Sequence, residues 1–425
     1  MDRAKMLFAM ALFFAPIAVD LVAAALRGKP RYRLNDLIAN LTLMLLTVVG
    51  SALIAVLTLW IYVQCYDALA VVRLSASSPV TWLVAFFAYD FFYYWAHRIH
   101  HEVAVLWGVH VVHHSGEDMN FGLAVRQSAL GGLTTWIFFL PMAIAGIPAE
   151  VYLGIAGLQL LYQYFIHNTY VPALGWLEHV LVTPSQHRVH HGRNQPYIDK
   201  NYGNILVVWD RLFGTYQAEL PEHRAVYGLR HSPATWNPMT LHTHAFTELA
   251  HKAAACARPL DKLRCFLRGP SWRPPSLDPA RYTEADDGPS ATFVRYDPPV
   301  PTSRAIYCAA QLAALTAAVV LLIWNLNAMT AGAIAAAVGF IAVSAWSLGG
   351  LLDGAPAFWR LELVRLAAVA GLGAAVALHD GLGAARALVA AALIAVASGL
   401  YLVRFRPGFV AGASSAEPGR GAVTG

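Results

Sequence analysis

The sequence predicts an all-α protein, a polytopic integral membrane helical bundle with a histidine-rich site at its cytoplasmic face. Three observations lead to this fold class. Hydrophobic residues make up 57% of the 425 residues and charged residues only 13%, with a mean hydropathy of +0.49. Several apolar runs exceed the 18 or so residues that cross a membrane as a helix. The chain also has 17 histidines, most of them between residues 97 and 191.

Nine apolar runs predict a multi-pass protein. They lie at about residues 6–26, 35–63, 80–96, 129–147, 150–166, 305–325, 331–351, 361–378 and 384–403. The first connection carries Arg27, Lys29, Arg31 and Arg33, so the positive-inside rule places it in the cytoplasm. Counting passes from there puts every histidine cluster on the cytoplasmic side. Because the basic residues are scattered around hydrophobic runs, the net charge of +5 does not indicate a nucleic-acid partner.

Composition divides the chain into segments. A polar stretch without a spanning run follows the histidine clusters, and its later part is rich in Pro, Arg and Asp, as linkers are. We predict N-terminal membrane helices at 1–79, a catalytic domain at 80–251, a polar linker at 252–303, a C-terminal four-helix membrane module at 304–406 and a disordered tail at 407–425.

Three histidine groups have the spacing of metal ligands. They begin at His97 (H-x-x-H-H-E), His110 (H-x-x-H-H) and His187 (H-x-x-H-H). On a helix, residues i, i+3 and i+4 share one face, so each group can direct two or three imidazoles at one point. The alternative, that they are interfacial surface histidines, becomes weak when eight of them recur in three spaced groups.

So many imidazoles imply two metal ions. A single zinc needs three or four ligands and usually includes carboxylate or thiolate, whereas imidazole suits iron, copper and zinc alike. The spacing therefore leaves the metal open. The predicted ligands are His97, His101, His110, His113, His114, His167, His187, His190 and His191.

Two carboxylates are candidate catalytic groups beside these ligands. Asp90 lies in a predicted membrane helix, where an acid is rarely unpaired, and could orient a ligating imidazole. Glu102 directly follows the first histidine group and could do the same or transfer protons. The alternative for Glu102 is a solvated helix charge.

The sequence around the histidines resembles the fatty acid hydroxylase and sterol desaturase superfamily, whose pattern is H-x3-H, H-x2-H-H and H-x2-H-H. The segments Asp90–Arg98, Thr183–Asn194, Asp199–Gly203 and Trp209–Thr215 are most similar to its alkylglycerol monooxygenase branch. The extra C-terminal membrane helices also fit that branch.

The resemblance implies two iron ions, O2 as oxidant and hydroxylation of a lipid C–H bond next to an ether oxygen. It also implies an electron donor, either tetrahydrobiopterin or another external reductant such as a redox protein. By the branch's pattern, Glu102 corresponds to a carboxylate important for activity. Asn168 and Gln186 depart from the pattern, which usually has Thr and His at these positions.

Other functions stay open beside this one. The same metal core could serve a sterol or fatty acyl desaturase or hydroxylase. A metal-binding membrane transporter or sensor is a more remote alternative, because transport favours polar residues within the spans rather than histidines gathered at one face. The Ala- and Gly-rich composition favours a bacterial inner-membrane protein with its site facing the cytoplasm.

Overall fold

A computed structural model describes residues 3–28, 32–278, 293–384, 386–406 and 409. The described residues form helices and loops, with one isolated antiparallel bridge between Leu181 and Leu206. The all-α prediction is therefore confirmed for this part of the chain. Lys29 and Arg31 of the first connection, and the predicted tail at 407–425 apart from residue 409, lie outside the described residues.

The helices are numbered in chain order. In the first half they are α1 (Arg3–Leu26), α2 (Leu34–Leu69), α3 (Pro79–Glu102), α4 (Ala104–His114), α5 (Phe121–Ala124), α6 (Gly131–Thr135), α7 (Leu140–Ile144), α8 (Ala149–Ile166) and α9 (Pro184–His190). The remainder are α10 (Val208–Leu212), α11 (Pro238–Ala255), α12 (Pro259–Leu267), α13 (Thr302–Asn325), α14 (Ala331–Leu352), α15 (Pro356–Ala384) and α16 (Arg386–Arg404). Short 3₁₀ helices lie at Trp136–Phe139, Gly175–His179 and Leu326–Ala328.

Three described helices are long and apolar enough to cross a membrane: Leu34–Leu69, Thr302–Ala328 and Ala331–Leu352. Shorter apolar helices lie at Leu12–Leu26, Gly131–Ile144 and Ala390–Arg404. Long apolar helices with few charges are typical of membrane proteins, which supports the predicted class. The count of nine passes remains a prediction.

The apolar run predicted at 129–147 is not one long helix. It is divided into α6, a 3₁₀ turn and α7, with Pro141 in the first turn of α7, where its missing N–H is tolerated. The run then turns at Gly146, whose φ is +89°. A Cβ there would lie 1.9 Å from the carbonyl oxygen of Val72, so only glycine fits this close approach.

The chain forms two compact units. The first comprises residues 1–33, 46–233 and 240–295 and contains every predicted metal ligand. Its apolar core joins α2, α3, α7 and α8, with Tyr62, Ala85, Met142 and Val151 all at 3% exposure or less. This core holds α3 through residues 85–93, and the first histidines lie one to two turns further along the same helix.

The segment predicted as a linker at 252–303 starts with helical structure, and its bounds as a linker stay a prediction. Residue 252 lies in α11, and α12 follows it. The helices meet through the buried Cys256 and Cys265, whose sulfur atoms are 3.6 Å apart. The backbone N–H of Ala104 donates to the carbonyl oxygen of Arg268 at 2.9 Å, which attaches this segment to α4. Apolar side chains at α-helical spacing explain why helices form here, which the Pro- and Arg-rich composition did not indicate.

The second unit comprises residues 34–45, 234–239 and 296–425. Helices α13 to α16 occupy the region predicted as a four-helix module. The first residues of α2, 34–45, belong to this unit, and the N-terminal domain at 1–79 stays a prediction. A buried network joins the module: Glu362 accepts hydrogen bonds from Ser347, Arg365 and Tyr307, and its exposure is 2%.

Candidate metal centre

The first cluster of imidazoles is built from three helices. α3 supplies His97 and His101, and α4 supplies His110 and His114; each pair is spaced i, i+4 and so projects from one helix face. His190 of α9 completes the set. One nitrogen of each ring lies within 4.8 Å of the others, so all five can face one point. We call this set group A.

The second cluster contains four buried imidazoles. His113 comes from α4, His167 from the residue after α8, His187 from α9 and His191 from the residue that caps α9. Their ligand atoms also lie within 4.8 Å of one another. We call this set group B. Groups A and B together contain all nine histidines predicted as ligands.

Two helices contribute to both groups in opposite proportions. α4 gives two imidazoles to group A and one, His113, to group B. The α9 segment gives one, His190, to group A and two to group B. The H-x-x-H-H spacing explains this division, because the i and i+4 positions share one direction and the i+3 position points beside it.

The start of α9 is fixed by a capping box. The side chain of Thr183 accepts from the backbone N–H of Gln186, and Gln186 returns a bond to the backbone N–H of Thr183 at 3.3 Å. Pro184 occupies the first turn, where its missing N–H costs nothing. Gln186 thus caps the helix with its side chain, which explains how a glutamine can stand where the family pattern has histidine.

Backbone carbonyl groups orient the imidazoles. Because a carbonyl oxygen only accepts, the ring nitrogen facing it must carry the proton. The Nδ1 atoms of four ligands donate in this way: His97 to Tyr202 at 3.0 Å, His113 to Arg126 at 3.0 Å, His167 to Gln163 at 2.6 Å and His190 to Lys200 at 3.0 Å. This arrangement leaves each Nε2 as a lone pair, the form that binds metals.

These Nε2 atoms converge closely. The separations are 3.1 Å for His97–His110, 3.1 Å for His114–His190, 3.2 Å for His113–His167 and 2.9 Å for His167–His187. In the His113–His167 pair both Nδ1 atoms donate to carbonyl groups, so two Nε2 lone pairs face each other, and a cation between them would remove their repulsion. The Nε2 atoms of His101 and His191 are also buried without a hydrogen-bond partner. The donor sets therefore fit two metal ions.

Burial keeps the imidazoles uncharged. It lowers the pKa of every one of the nine, and for eight of them repulsion from neighbouring histidines lowers the pKa further. For His113 the pKa falls from 6.5 to about 4. Neutral rings at pH 7 are ready to bind a cation without first losing protons.

Asp90 does not orient an imidazole, contrary to the prediction. Its carboxylate accepts from the backbone N–H groups of Ile205 at 2.9 Å and Leu206 at 3.2 Å and from the indole N–H of Trp209 at 2.9 Å. Asp90 lies two helical turns before His97, roughly 10 Å along α3, which explains why it reaches another element. It anchors the 205–209 segment to α3.

Glu102 lies outside both groups. Its carboxylate pairs with Arg98 one turn earlier, at 2.8 Å, and 47% of its side chain is exposed. His100 lies outside them too: its Nδ1 donates to the carbonyl oxygen of Ala96 at 2.6 Å, and its Nε2 bonds the hydroxyl of Thr134 at 2.8 Å. Both nitrogens of His100 are thus occupied by protein.

Sequence reasoning did not identify Asp210 as a supporting residue. This buried carboxylate accepts from the backbone N–H groups of Tyr202 at 2.7 Å and Gly203 at 2.8 Å and from the Thr215 hydroxyl at 2.7 Å. It thereby holds the carbonyl group that orients His97. The segments Asp199–Gly203 and Trp209–Thr215 resemble the family, which indicated that they matter. The sequence did not indicate that Asp210 bonds the backbone of residues 202 and 203.

Comparisons with known proteins agree with this site. A family model described as fatty acid hydroxylase matches residues 82–215, which contain both groups. Alkylglycerol monooxygenase of Homo sapiens is 39% identical over 263 residues, 62% of this chain and 58% of the relative. The enzyme of the same name from Xenopus tropicalis is 32% identical over 356 residues, 83% of this chain and 78% of the relative.

A bacterial relative is more distant. An ornithine lipid hydroxylase of Rhizobium tropici is 31% identical over 135 residues, 30% of this chain and 39% of the relative. No solved structure matches the chain. This chain belongs to the fatty acid hydroxylase superfamily, in its alkylglycerol monooxygenase branch, because it has the histidine pattern and aligns with most of the Xenopus tropicalis enzyme.

Proposed function

We propose that the protein is a membrane-bound, non-haem di-iron monooxygenase that hydroxylates a lipid C–H bond, on the carbon next to the ether oxygen of an alkylglycerol. The convergence of nine imidazoles, eight of them buried, into two groups supports two metal ions most directly. The family relationship favours iron over copper or zinc, and the relatives named alkylglycerol monooxygenase favour an ether lipid.

The overall reaction inserts one oxygen atom. A C–H bond, O2, two electrons and two protons give C–OH and water. Two bound iron ions would supply the reductive activation of O2 that side chains cannot perform. Hydroxylation beside an ether oxygen gives a hemiacetal, whose C–O bond then breaks to release an aldehyde and a glycerol product without a further oxidant.

The protein's own residues hold and shield the site. The carbonyl group of Tyr202 fixes the tautomer of His97, and that of Arg126 fixes His113. The indole of Trp107 covers the imidazoles of His101 and His114, with ring centroids 4.9 and 5.4 Å away, and limits access of water. We assign proton exchange with solvent to Glu102, because it directly follows His101 in α3, is about half exposed and is paired with Arg98.

The electrons must come from a separate donor, either a reduced pterin such as tetrahydrobiopterin or a redox protein. We also propose that the chain is a multi-pass protein of a bacterial inner membrane with its site facing the cytoplasm. Arg27 and Arg33 after α1, and Arg404 and Arg406 at the end of α16, support cytoplasmic placement of those ends. Reporter fusions after residues 28 and 406 should both be cytoplasmic.

The test uses the full chain in lipid nanodiscs. Metal is counted, and O2-dependent conversion of 1-O-hexadecylglycerol, a sterol and a fatty acyl lipid is followed with and without tetrahydrobiopterin. We expect about two iron ions per chain and aldehyde release from the ether lipid. Fewer than two metals would refute the di-metal centre, and inert ether lipid would refute the substrate.

A second candidate is hydroxylation of an acyl chain in a polar lipid. The relative named ornithine lipid hydroxylase favours it. Conversion of the fatty acyl lipid, with the ether lipid unchanged, would select this reaction. A transporter or sensor would bind metal but consume no O2.

A further inference from the structure

A cavity of about 500 Å³ opens between α4 and α11. Its inner wall contains four predicted ligands, His101, His114, His190 and His191, so it reaches the metal centre. Its outer wall is the α11 segment, to which the sequence assigned no function. A volume of this size is typical of small-molecule sites.

The cavity wall is apolar along one side. Ala104, Trp107 and Val111 of α4 line it at i, i+3 and i+7, which places them on one helix face. Ala245 and Leu249 of α11 lie opposite at i, i+4 spacing. Alkyl carbon atoms near the metal centre would be in contact with this side.

The neighbouring column of α11 is polar. His244, Glu248 and His251 follow at i, i+4 and i+7, beside the apolar column. Glu248 and His251 are exposed, and His244 is half-buried. Polar and apolar columns run side by side along α11. The cavity therefore suits an amphiphile whose headgroup contacts the polar column and whose first alkyl carbon atoms contact the apolar column.

The cavity lining carries charges of both signs, with Asp199 and Glu248 beside three cations. Each cation donates to a backbone carbonyl oxygen: Lys252 to Pro270 at 3.0 Å, Arg193 to Leu229, and Arg230 to Arg193 at 3.4 Å. Glu248 adds negative charge on the polar column. A phosphate there would be repelled by the carboxylate, whereas a hydroxyl group can donate to it and accept from an imidazole.

We infer that this cavity binds the neutral, hydroxyl-bearing headgroup of a lipid, with Glu248 accepting its hydroxyl protons. The inference rests on the proposed function, and it adds a specificity-determining residue and a rule for the position of attack. In this position the headgroup lies beside the predicted ligands of group A. The C–H bonds within reach of the metal centre are then those a few bonds from the headgroup, whatever the length of the lipid's alkyl chain.

Binding to the metal-loaded protein without O2 tests the inference. Displacement of radiolabelled 1-O-hexadecylglycerol is measured with the unlabelled lipid, its 2,3-di-O-methyl ether, hexadecyl phosphate and free glycerol. We expect the diol to bind at least about tenfold more tightly than the dimethyl ether, as charge-assisted hydrogen bonds require. In Glu248→Ala this preference should fall below about twofold, with Glu248→Gln intermediate.

The matched control is Glu222→Gln, another exposed carboxylate of the same unit, which should keep the full preference. His244→Ala, next on the polar column, should weaken diol binding without loss of metal. The inference is overturned if Glu248→Ala keeps the preference or if hexadecyl phosphate binds more tightly than the diol. Displacement by millimolar free glycerol would also overturn it, since the site would then hold a soluble polyol.

The two proposals fail in different ways. A Glu248-dependent preference without O2-dependent oxidation of any lipid supports the cavity assignment and refutes the monooxygenase. Oxidation of the ether lipid without any such preference refutes the cavity assignment alone.

Discussion

The Nδ1 atom of His97 lies 3.0 Å from the carbonyl oxygen of Tyr202, 105 residues later in the chain. That carbonyl group is held in turn by Asp210, which accepts from the backbone N–H groups of Tyr202 and Gly203. A ligand in group A is thus oriented by a carboxylate that never contacts it.

Replacement of Asp210 should therefore weaken metal binding. In Asp210→Asn the amide N–H₂ faces a backbone donor, so the 202–203 loop loses an acceptor. We expect metal affinity to fall about 10- to 100-fold, measured by titration against a competing chelator. Asp67→Asn is the control, because that carboxylate is 57% exposed in its pair with Arg73. Unchanged affinity in Asp210→Asn would show that the loop needs no such support.

Single substitutions should distinguish the two groups. At saturating metal, His190→Ala should weaken group A and reduce the metal content from about two ions per chain to about one. His113→Ala should have the same effect by weakening group B. Either change should abolish turnover. The double variant should hold no metal. His223→Ala, an exposed residue outside both groups, should keep two metals and full activity. Full metal content in His190→Ala would refute its assignment as a ligand.

His100 should behave differently from its neighbour His101. Its two nitrogens bond Ala96 and Thr134, so His100→Ala should retain two metals while losing about 1–3 kcal/mol of unfolding free energy. Metal analysis together with thermal melting checks this expectation. Loss of one metal with unchanged melting would make His100 a ligand.

The metal-free protein should lose stability in mild acid. Well above pH 6.5 the imidazoles are neutral in both the folded and the unfolded chain, so histidine protonation takes nothing from the free energy of unfolding. As pH falls below 6.5 the unfolded chain takes up protons, while folded His113 stays neutral until its pKa of about 4. Each such histidine then costs up to about 1.4 kcal/mol per pH unit. Melting temperatures of chelator-treated protein at pH 7.5 and 5.5 test this; equal values would contradict it.

The buried pair in the second unit should be costly to break. Glu362 and Arg365 are bonded at 2.8 Å, and Ser347 adds a bond to the same carboxylate oxygen at 2.7 Å. Glu362→Ala leaves the guanidinium without its carboxylate, with the neutral side chains of Gln311 and Ser344 as remaining acceptors, and should destabilise the unit by about 3–5 kcal/mol. Glu362→Leu combined with Arg365→Met should recover most of this loss in mixed-micelle unfolding. Arg360→Met, an exposed cation on the same helix, should change little.

The sequence alone could predict which histidines converge, because i, i+4 spacing on a helix leaves little freedom in direction. It could not predict the partners of Asp90 or His100. Those depend on which distant loop or helix packs against α3, and period and composition carry no such information. The helices within 252–278 were missed for a related reason: a Pro- and Arg-rich composition hid a few apolar positions at helical spacing.

The sharing of α4 and α9 between groups A and B has a consequence for assembly. A metal ion bound in either group would fix the rotation and spacing of both helices. The second ion would then bind with a smaller loss of conformational entropy. Loading should then be cooperative, with singly loaded chains rare at half saturation. Helix geometry would also set the distance between two ions held by groups A and B, so exchange of either ion for another divalent metal should change that distance little.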